Sequence, residues 1–171
     1  MVMVEALEPV ATRDALVLVL GTLPGADSLK LREYYAKSTN AFWDIMGDLF
    51  GAVRSRPYGE RVEILNRKGV AVWDVLRSAD RVGSTDSGII KGSEVANDFN
   101  GFFRGHGSIK RIFFNGGPAE GYFQALVMPH LAAPCSRIPQ RVLASTSPAN
   151  THMTRQAKIA EWQVIERDLL R

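Results

Sequence analysis

The chain has 171 residues, 46% of them hydrophobic and 23% charged, and 21 Lys+Arg against 18 Asp+Glu give a net charge of +3. Those values fit one globular domain over residues 1–171 with a substantial core, and they exclude disordered, collagenous and disulfide-scaffold classes. One cysteine, Cys135, excludes an internal disulfide and a cysteine zinc cage, and His106, His130 and His152 lack the spacing of metal ligands, so no metal is expected. No apolar run approaches the roughly 20 residues of a membrane span, and Glu5, Glu8, Arg13 and Asp14 interrupt any signal-like stretch. A cytoplasmic protein, nucleoid-associated if bacterial and without a membrane partner, is expected.

After an irregular leader to about Arg13, the apolar run Ala15–Leu20 ends at Gly21 and predicts a strand buried on both faces. Phe42, Ile45, Met46 and Leu49 recur at helical spacing between Asn40 and Phe50, with Gly51 as a stop. Pro57–Lys68 predicts a further helix closed by Gly69, and Val70–Asp74 a second strand. Ser93 is placed to cap a helix carrying Val95, Phe99, Phe102 and Phe103. Arg111–Asn115 predicts a third strand, and Gly116-Gly117-Pro118 opens a helix through Leu126. Arg141–Ala144 predicts a short fourth strand. The last helix, Thr154–Leu170, carries Ile159, Trp162, Ile165 and Leu169 on one face.

Uniformly apolar strands alternating with helices predict an α/β fold: a three-layer α/β/α sandwich around a central, mainly parallel four-stranded sheet. Such sheets bind ligands beyond the carboxyl ends of their strands, which singles out Gly21–Ser28, Asp74–Asp86, Asn115–Pro118 and Ser145–Asn150. The phosphate-binding and dinucleotide glycine motifs are missing, as is a Gly-x-Ser-x-Gly elbow, so ATP, NAD and serine-hydrolase chemistry recede. Gly21-Thr22-Leu23-Pro24-Gly25 is either a plain turn or a rigid loop whose amides approach a ligand. Asn40 either caps its helix or serves a site, and Phe42 and Trp43 are either core or ligand-facing. Ser145-Thr146-Ser147-Pro148-Ala149-Asn150 is either an ordinary turn or a wrap for a phosphodiester backbone.

Taken in order, Gly21–Gly25, Tyr34-Tyr35, Asn40-Ala41-Phe42-Trp43 with Met46-Gly47, and Ser145–Asn150 resemble the uracil-DNA glycosylase superfamily. Within it the likeness is nearest the hypoxanthine-DNA glycosylase branch, related to the mismatch-specific uracil glycosylases. Trp73-Asp74, Gly83–Ser87, Asn97-Asp98-Phe99 and Phe113–Gly116 extend it over about Leu16 to Asn150. The resemblance implies a monofunctional glycosylase of base excision repair. It would flip a deaminated base out of DNA, uracil ahead of hypoxanthine and xanthine, and hydrolyse the bond to deoxyribose with no cofactor, leaving an abasic site. A monomer suffices for this.

By the same resemblance Asn40 positions the attacking water, because Leu23 stands where many relatives carry Asn or Asp. Phe42 stacks on the extruded base, and Asp74 stands where uracil-specific relatives read the base edge with Asn. Gly21, Thr22, Leu23, Pro24, Gly25, Tyr35, Ser84 and Asn115 complete the pocket, with Asp86 and Ser87 near its wall. The loop Ser145, Thr146, Ser147, Pro148, Ala149 and Asn150 enters the minor groove, with Ser147 replacing a histidine that helps the leaving base in many uracil-specific members. Arg54, Arg56, Lys110, Arg155 and Lys158 are candidate phosphate contacts. Two alternatives remain open: a non-catalytic or slow-turnover binder of abasic or damaged DNA, and a small-molecule α/β hydrolase.

Overall fold

A computed structural model of the chain describes residues 1–170. Four parallel strands form the central sheet: β2 (Val17–Gly21), β3 (Val70–Asp74), β6 (Arg111–Asn115) and β7 (Gln140–Leu143), in the order β3-β2-β6-β7. Every residue of β2 and β3 is buried, which is why these segments read as unbroken apolar runs. The expected strands stand within two residues of these bounds.

Helices α1 (Ala26–Leu31), α2 (Phe42–Phe50) and α3 (Tyr58–Lys68) lie in the connection from β2 to β3, α4 (Phe99–Gly105) in that from β3 to β6, and α5 (Gly117–Tyr122) in that from β6 to β7. Right-handed crossovers running in opposite directions along the sheet put α1–α3 on one face and α4–α5 on the other, which yields the α/β/α layering. Helices α6 (Arg155–Trp162) and α7 (Val164–Leu169) pack back toward α2 and β2. Gly51 and Gly69 end α2 and α3 at φ of 77° and 78°, left-handed values that glycine adopts without strain. Among the described residues no helix is long and apolar enough to cross a membrane.

Three expectations are corrected. The leader is not irregular: Val2–Glu5 forms β1, antiparallel to β4 (Leu76–Arg81), and β4 also pairs with β5 (Val95–Ala96), giving a second, three-stranded sheet. That sheet was hidden because Leu-Arg-Ser-Ala-Asp-Arg reads as a polar loop, yet Leu76, Ala79 and Arg81 are buried and Arg81 settles its charge against the Pro24 carbonyl at 2.7 Å. Nor does Ser93 cap a helix. Its hydroxyl accepts from Asp80 N and donates to Ile90 O, while Asp98 caps α4 by accepting from Gly101 N. The last helix, finally, is two: α6 and α7 meet at Gln163.

Candidate active site

All four parallel strands end on one edge, and the sheet order reverses direction between β2 and β6. The loop leaving β2 therefore opens on the crevice where doubly wound sheets take ligands. Beyond the sheet Val75 N donates to Gly21 O and Leu76 N to Thr22 O, so the ends of β2 and β3 remain side by side. Gly21 lies in register with Asp74. A Cβ on Gly21 would come within 2.5 Å of Asp74 Oδ1 and 2.9 Å of the Tyr35 hydroxyl, so the missing side chain is what lets carboxyl and phenol converge.

The rest of the first loop is scaffold. Thr22, Leu23 and Pro24 are buried, and Leu23 belongs to the core. Ser84 Oγ accepts from Ala26 N at 2.9 Å, which orders the start of α1. Asp74 is different: it is 4% exposed, forms no ion pair among the described residues, and its Oδ2 is buried with no hydrogen-bond partner. Burial, helped by the charge of Asp86 and opposed by Arg81, pushes its carboxyl up to about 7. Burial raises Asp86 as well, against the Thr22 hydroxyl and Arg81.

The aromatic wall is arranged differently from the expectation drawn on Phe42. Phe42 is fully buried, edge-on to Trp43 and Trp162, and covered by the Tyr35 ring at 4.0 Å and 23°. The partly exposed member of the stack is Tyr35, held at a left-handed φ of 54°. Its hydroxyl is buried beside the Asn115 side chain, and burial together with Asp74 raises the phenol above its usual range, against the opposing effect of that amide. Tyr34 points away, donating to the carbonyls of Leu7 and Glu8.

Asn40 is half-buried at the start of α2. Its Oδ1 accepts from Phe42 N at 2.9 Å, and its carbonyl accepts from Arg54 Nη2 at 2.7 Å. An amide oxygen has two lone pairs, so this bond fixes the direction of Oδ1 while leaving a second acceptor position. The helix-capping and water-holding readings of Asn40 are thus compatible.

Asn115 joins β6 to the last loop. Its Nδ2 donates to Thr146 Oγ1 at 2.8 Å and its Oδ1 accepts from Thr146 N at 2.9 Å, so both ends of the amide are engaged there. Ala41 N donates to Thr146 O, tying the same loop to Asn40. Gly116, at φ 95°, sits so close that a Cβ would lie 3.0 Å from Ser145 Cβ. Ser147 Oγ accepts from Ala149 N, which leaves its own proton to donate, and Pro148 and Ala149 project at the exposed tip.

Sequence reading missed what holds this loop. Ala144 N donates to Glu161 Oε1 at 2.8 Å, Trp162 Nε1 donates to Ala144 O at 2.9 Å, and Lys158 Nζ donates to Asn150 O at 3.0 Å. One face of α6, at positions three and four apart, clasps both ends of the loop. The spacing is visible in the sequence, but its partners are not. Lys158, expected at a phosphate, is buried instead. Of the other candidate contacts, Arg56 pairs with Glu60, Arg155 pairs with Asp44, and Lys110 lies at the amino end of β6, on the far edge of the sheet.

Lys158→Met keeps the apolar stem and removes the ammonium. It is expected to cost about 1–2 kcal/mol in chemical denaturation and to speed amide exchange at Ser147–Asn150. Unchanged exchange there would show that Glu161 and Trp162 hold the loop without Lys158.

No protein-family model matches the sequence. The chain is 30% identical over 152 residues to the hypoxanthine DNA glycosylase of Methanosarcina acetivorans, covering 88% of this chain and 90% of that protein. It is 32% identical over 119 residues to the hypoxanthine DNA glycosylase of Methanosarcina barkeri, covering 69% and 74%. The solution NMR structure of a Methanosarcina acetivorans protein assigned as a uracil DNA glycosylase superposes with a TM-score of 0.79 at 27% identity, over 99% of this chain and 100% of that one. Agreement of fold and sequence over that extent defines the class, the uracil-DNA glycosylase superfamily. Within it, the chain belongs to the hypoxanthine DNA glycosylase family.

Proposed function

We propose that this protein is a DNA repair glycosylase that extrudes a deaminated base and hydrolyses its bond to deoxyribose, leaving an abasic site. The observation that carries this reading is the approach of a buried carboxyl without a partner on its Oδ2 (Asp74) and of the Tyr35 hydroxyl to the space Gly21 leaves open, with Tyr35 stacked on Phe42 and the Asn40 amide oxygen fixed on Phe42 N, at the strand ends that also carry a clasped loop with an exposed tip. The names of the two sequence relatives put hypoxanthine beside uracil and xanthine among the bases to test.

In this reading the base enters between the ends of β2, β3 and β6 and lies on Tyr35, with Phe42 backing the ring rather than meeting the base itself. Stacking is suited to the task because every base has a flat apolar face. The bond between base and sugar C1′ then breaks with its electron pair passing to the base. A water held by Asn40 Oδ1 adds to the oxocarbenium-like carbon and releases a proton to solvent. Neutral asparagine is adequate here, since such a carbon needs a well-placed nucleophile more than a strong one. The free proton of Ser147 is the hydrogen-bond donor that this loop offers to the departing base, its amides at Thr146, Ser147, Ala149 and Asn150 being spent within the protein. Pro148 and Ala149 act as the wedge. One subunit contains every group this scheme uses, so a monomer suffices.

The experiment is a cleavage assay on end-labelled oligonucleotides with one uracil, hypoxanthine or xanthine, single-stranded and paired, developed with alkali. Alkali-labile breaks at the modified base, absent from undamaged controls, are the expected result. Retained binding to abasic DNA with no break on any substrate would replace the enzyme with a damage-binding protein.

A further inference from the structure

Asp74 is a charge-bearing group in a place that gives a charge little support, since burial and Asp86 outweigh the attraction of Arg81. Its backbone is fixed on both sides, paired in register with Gly21 and accepting from Asn97 Nδ2 at 2.8 Å, which sets where the carboxyl starts from at the end of β3. Its Oδ2 has neither solvent nor a donor, and its Oδ1 faces the space that Gly21 leaves open. The groups around it are few. The Tyr35 phenol comes from the loop before α2, Arg81 from β4 and Asp86 from the loop after β4, and the Tyr34 phenol is near enough to feel its charge. Arg81 is turned to the Pro24 carbonyl, and Asp86 adds repulsion.

An acid so placed is a donor and an acceptor at once. Protonated, it offers one O–H and one C=O side by side; ionised, it only accepts. Uracil and hypoxanthine carry a lactam edge, a ring N–H beside an exocyclic carbonyl, where their parents cytosine and adenine carry an amino group beside an unprotonated ring nitrogen; xanthine carries that edge too, as do thymine and guanine. We infer that Asp74, as the neutral acid, is the specificity-determining residue of the site, donating its O–H to the carbonyl oxygen of a lactam base and accepting the ring N–H on its own carbonyl. The inference rests on the glycosylase reading and adds the chemical class of base that the pocket takes.

The ionised form has two defects for this task. It loses the donor, and it places a negative charge against both the base carbonyl and the electron pair that arrives on the base as the glycosidic bond breaks. Burial pushes the carboxyl up to about 7 in the free protein, and a base bonded to the neutral acid holds it higher still, so excision by the saturated enzyme should fall at alkaline pH, about tenfold per unit once the carboxyl in the complex ionises. An asparagine amide presents the same donor and acceptor and does not titrate.

The test is single-turnover excision of the best lactam substrate by wild type and Asp74→Asn from roughly pH 6 to 9.5. Saturation is checked at each pH, so that the rate of the bond-breaking step is read rather than DNA affinity. The expected result is a wild-type rate that falls above neutrality and an Asn variant that matches it at low pH within a few-fold and stays flat at high pH. Parallel declines in the two proteins would overturn the inference, as would a flat wild-type profile. So would an Asn variant inactive at every pH while its circular dichroism and melting curve match wild type. If the Asn variant fails to fold, the wild-type profile decides alone. Should wild type cut no substrate at any pH, it is the glycosylase reading that has failed, an outcome separable from a wild type that cuts with the wrong pH dependence.

Discussion

Replacing Asn40 with alanine is expected to lower single-turnover base excision by on the order of 10²-fold, the loss typical when a group that positions a reactant is removed. The side chain has two jobs in the structure, and the experiment must part them. Its Oδ1 accepts from Phe42 N at 2.9 Å, so alanine also removes a cap-like bond at the start of α2, at a cost of about 0.5–2 kcal/mol in stability. Asn40→Asp keeps an oxygen at the same place, able to accept both from Phe42 N and from a water. That variant is therefore expected to stay within about tenfold of wild type. If alanine and aspartate are equally inactive, the amide NH2 rather than the oxygen is what matters. If the alanine variant is folded and fully active, Asn40 does no more than cap its helix.

What the sequence made legible follows from how its parts fold. Strands β2, β3 and β6 are buried on both faces, so their apolar runs needed no partner to be recognised, and the parallel sheet and its ligand edge came with them. The small sheet was illegible because β4 carries Arg77, Asp80 and Arg81 and is defined by what it pairs with, the distant β1 and the two-residue β5. The same distinction runs through the site. Gly21, Asp74 and Asn115 could be placed at strand ends from the sequence, yet nothing in the sequence says that Asn115 would spend both amide atoms on Thr146. Phe42 and Tyr35 are seven residues apart, and which of two neighbouring rings covers the other is a matter of packing and of the left-handed backbone at Tyr35. The clasp by Lys158, Glu161 and Trp162 was hidden for a related reason: a lysine reads as surface until a carbonyl is found at its end.

Gly21→Ala is the second large effect, and it reports on the pocket rather than on the reacting water. The added methyl would sit 2.5 Å from Asp74 Oδ1 and 2.9 Å from the Tyr35 hydroxyl, closer than carbon and oxygen tolerate. Neither neighbour yields freely: Asp74 ends a strand paired in register with Gly21 itself, and the Tyr35 ring is stacked on buried Phe42. The strain is expected to cost about 1–3 kcal/mol of stability, as overpacking usually does. Excision should suffer far more, by on the order of 10²-fold, because a shift of about 1 Å in groups that position a reactant is enough for that loss. Affinity for DNA already holding an abasic site should change little, since no base has to enter. Gly25→Ala supplies the control four residues along, where a Cβ would meet Ser84 Oγ at 3.4 Å, an ordinary contact. Excision assays, with binding to uracil-containing and abasic duplexes measured in parallel, distinguish the outcomes. A Gly21→Ala protein that excises at the wild-type rate would mean that the base does not pass between Gly21, Asp74 and Tyr35. One that loses excision and abasic-site binding equally would mean that the substitution disturbs the whole DNA-facing edge rather than the base slot.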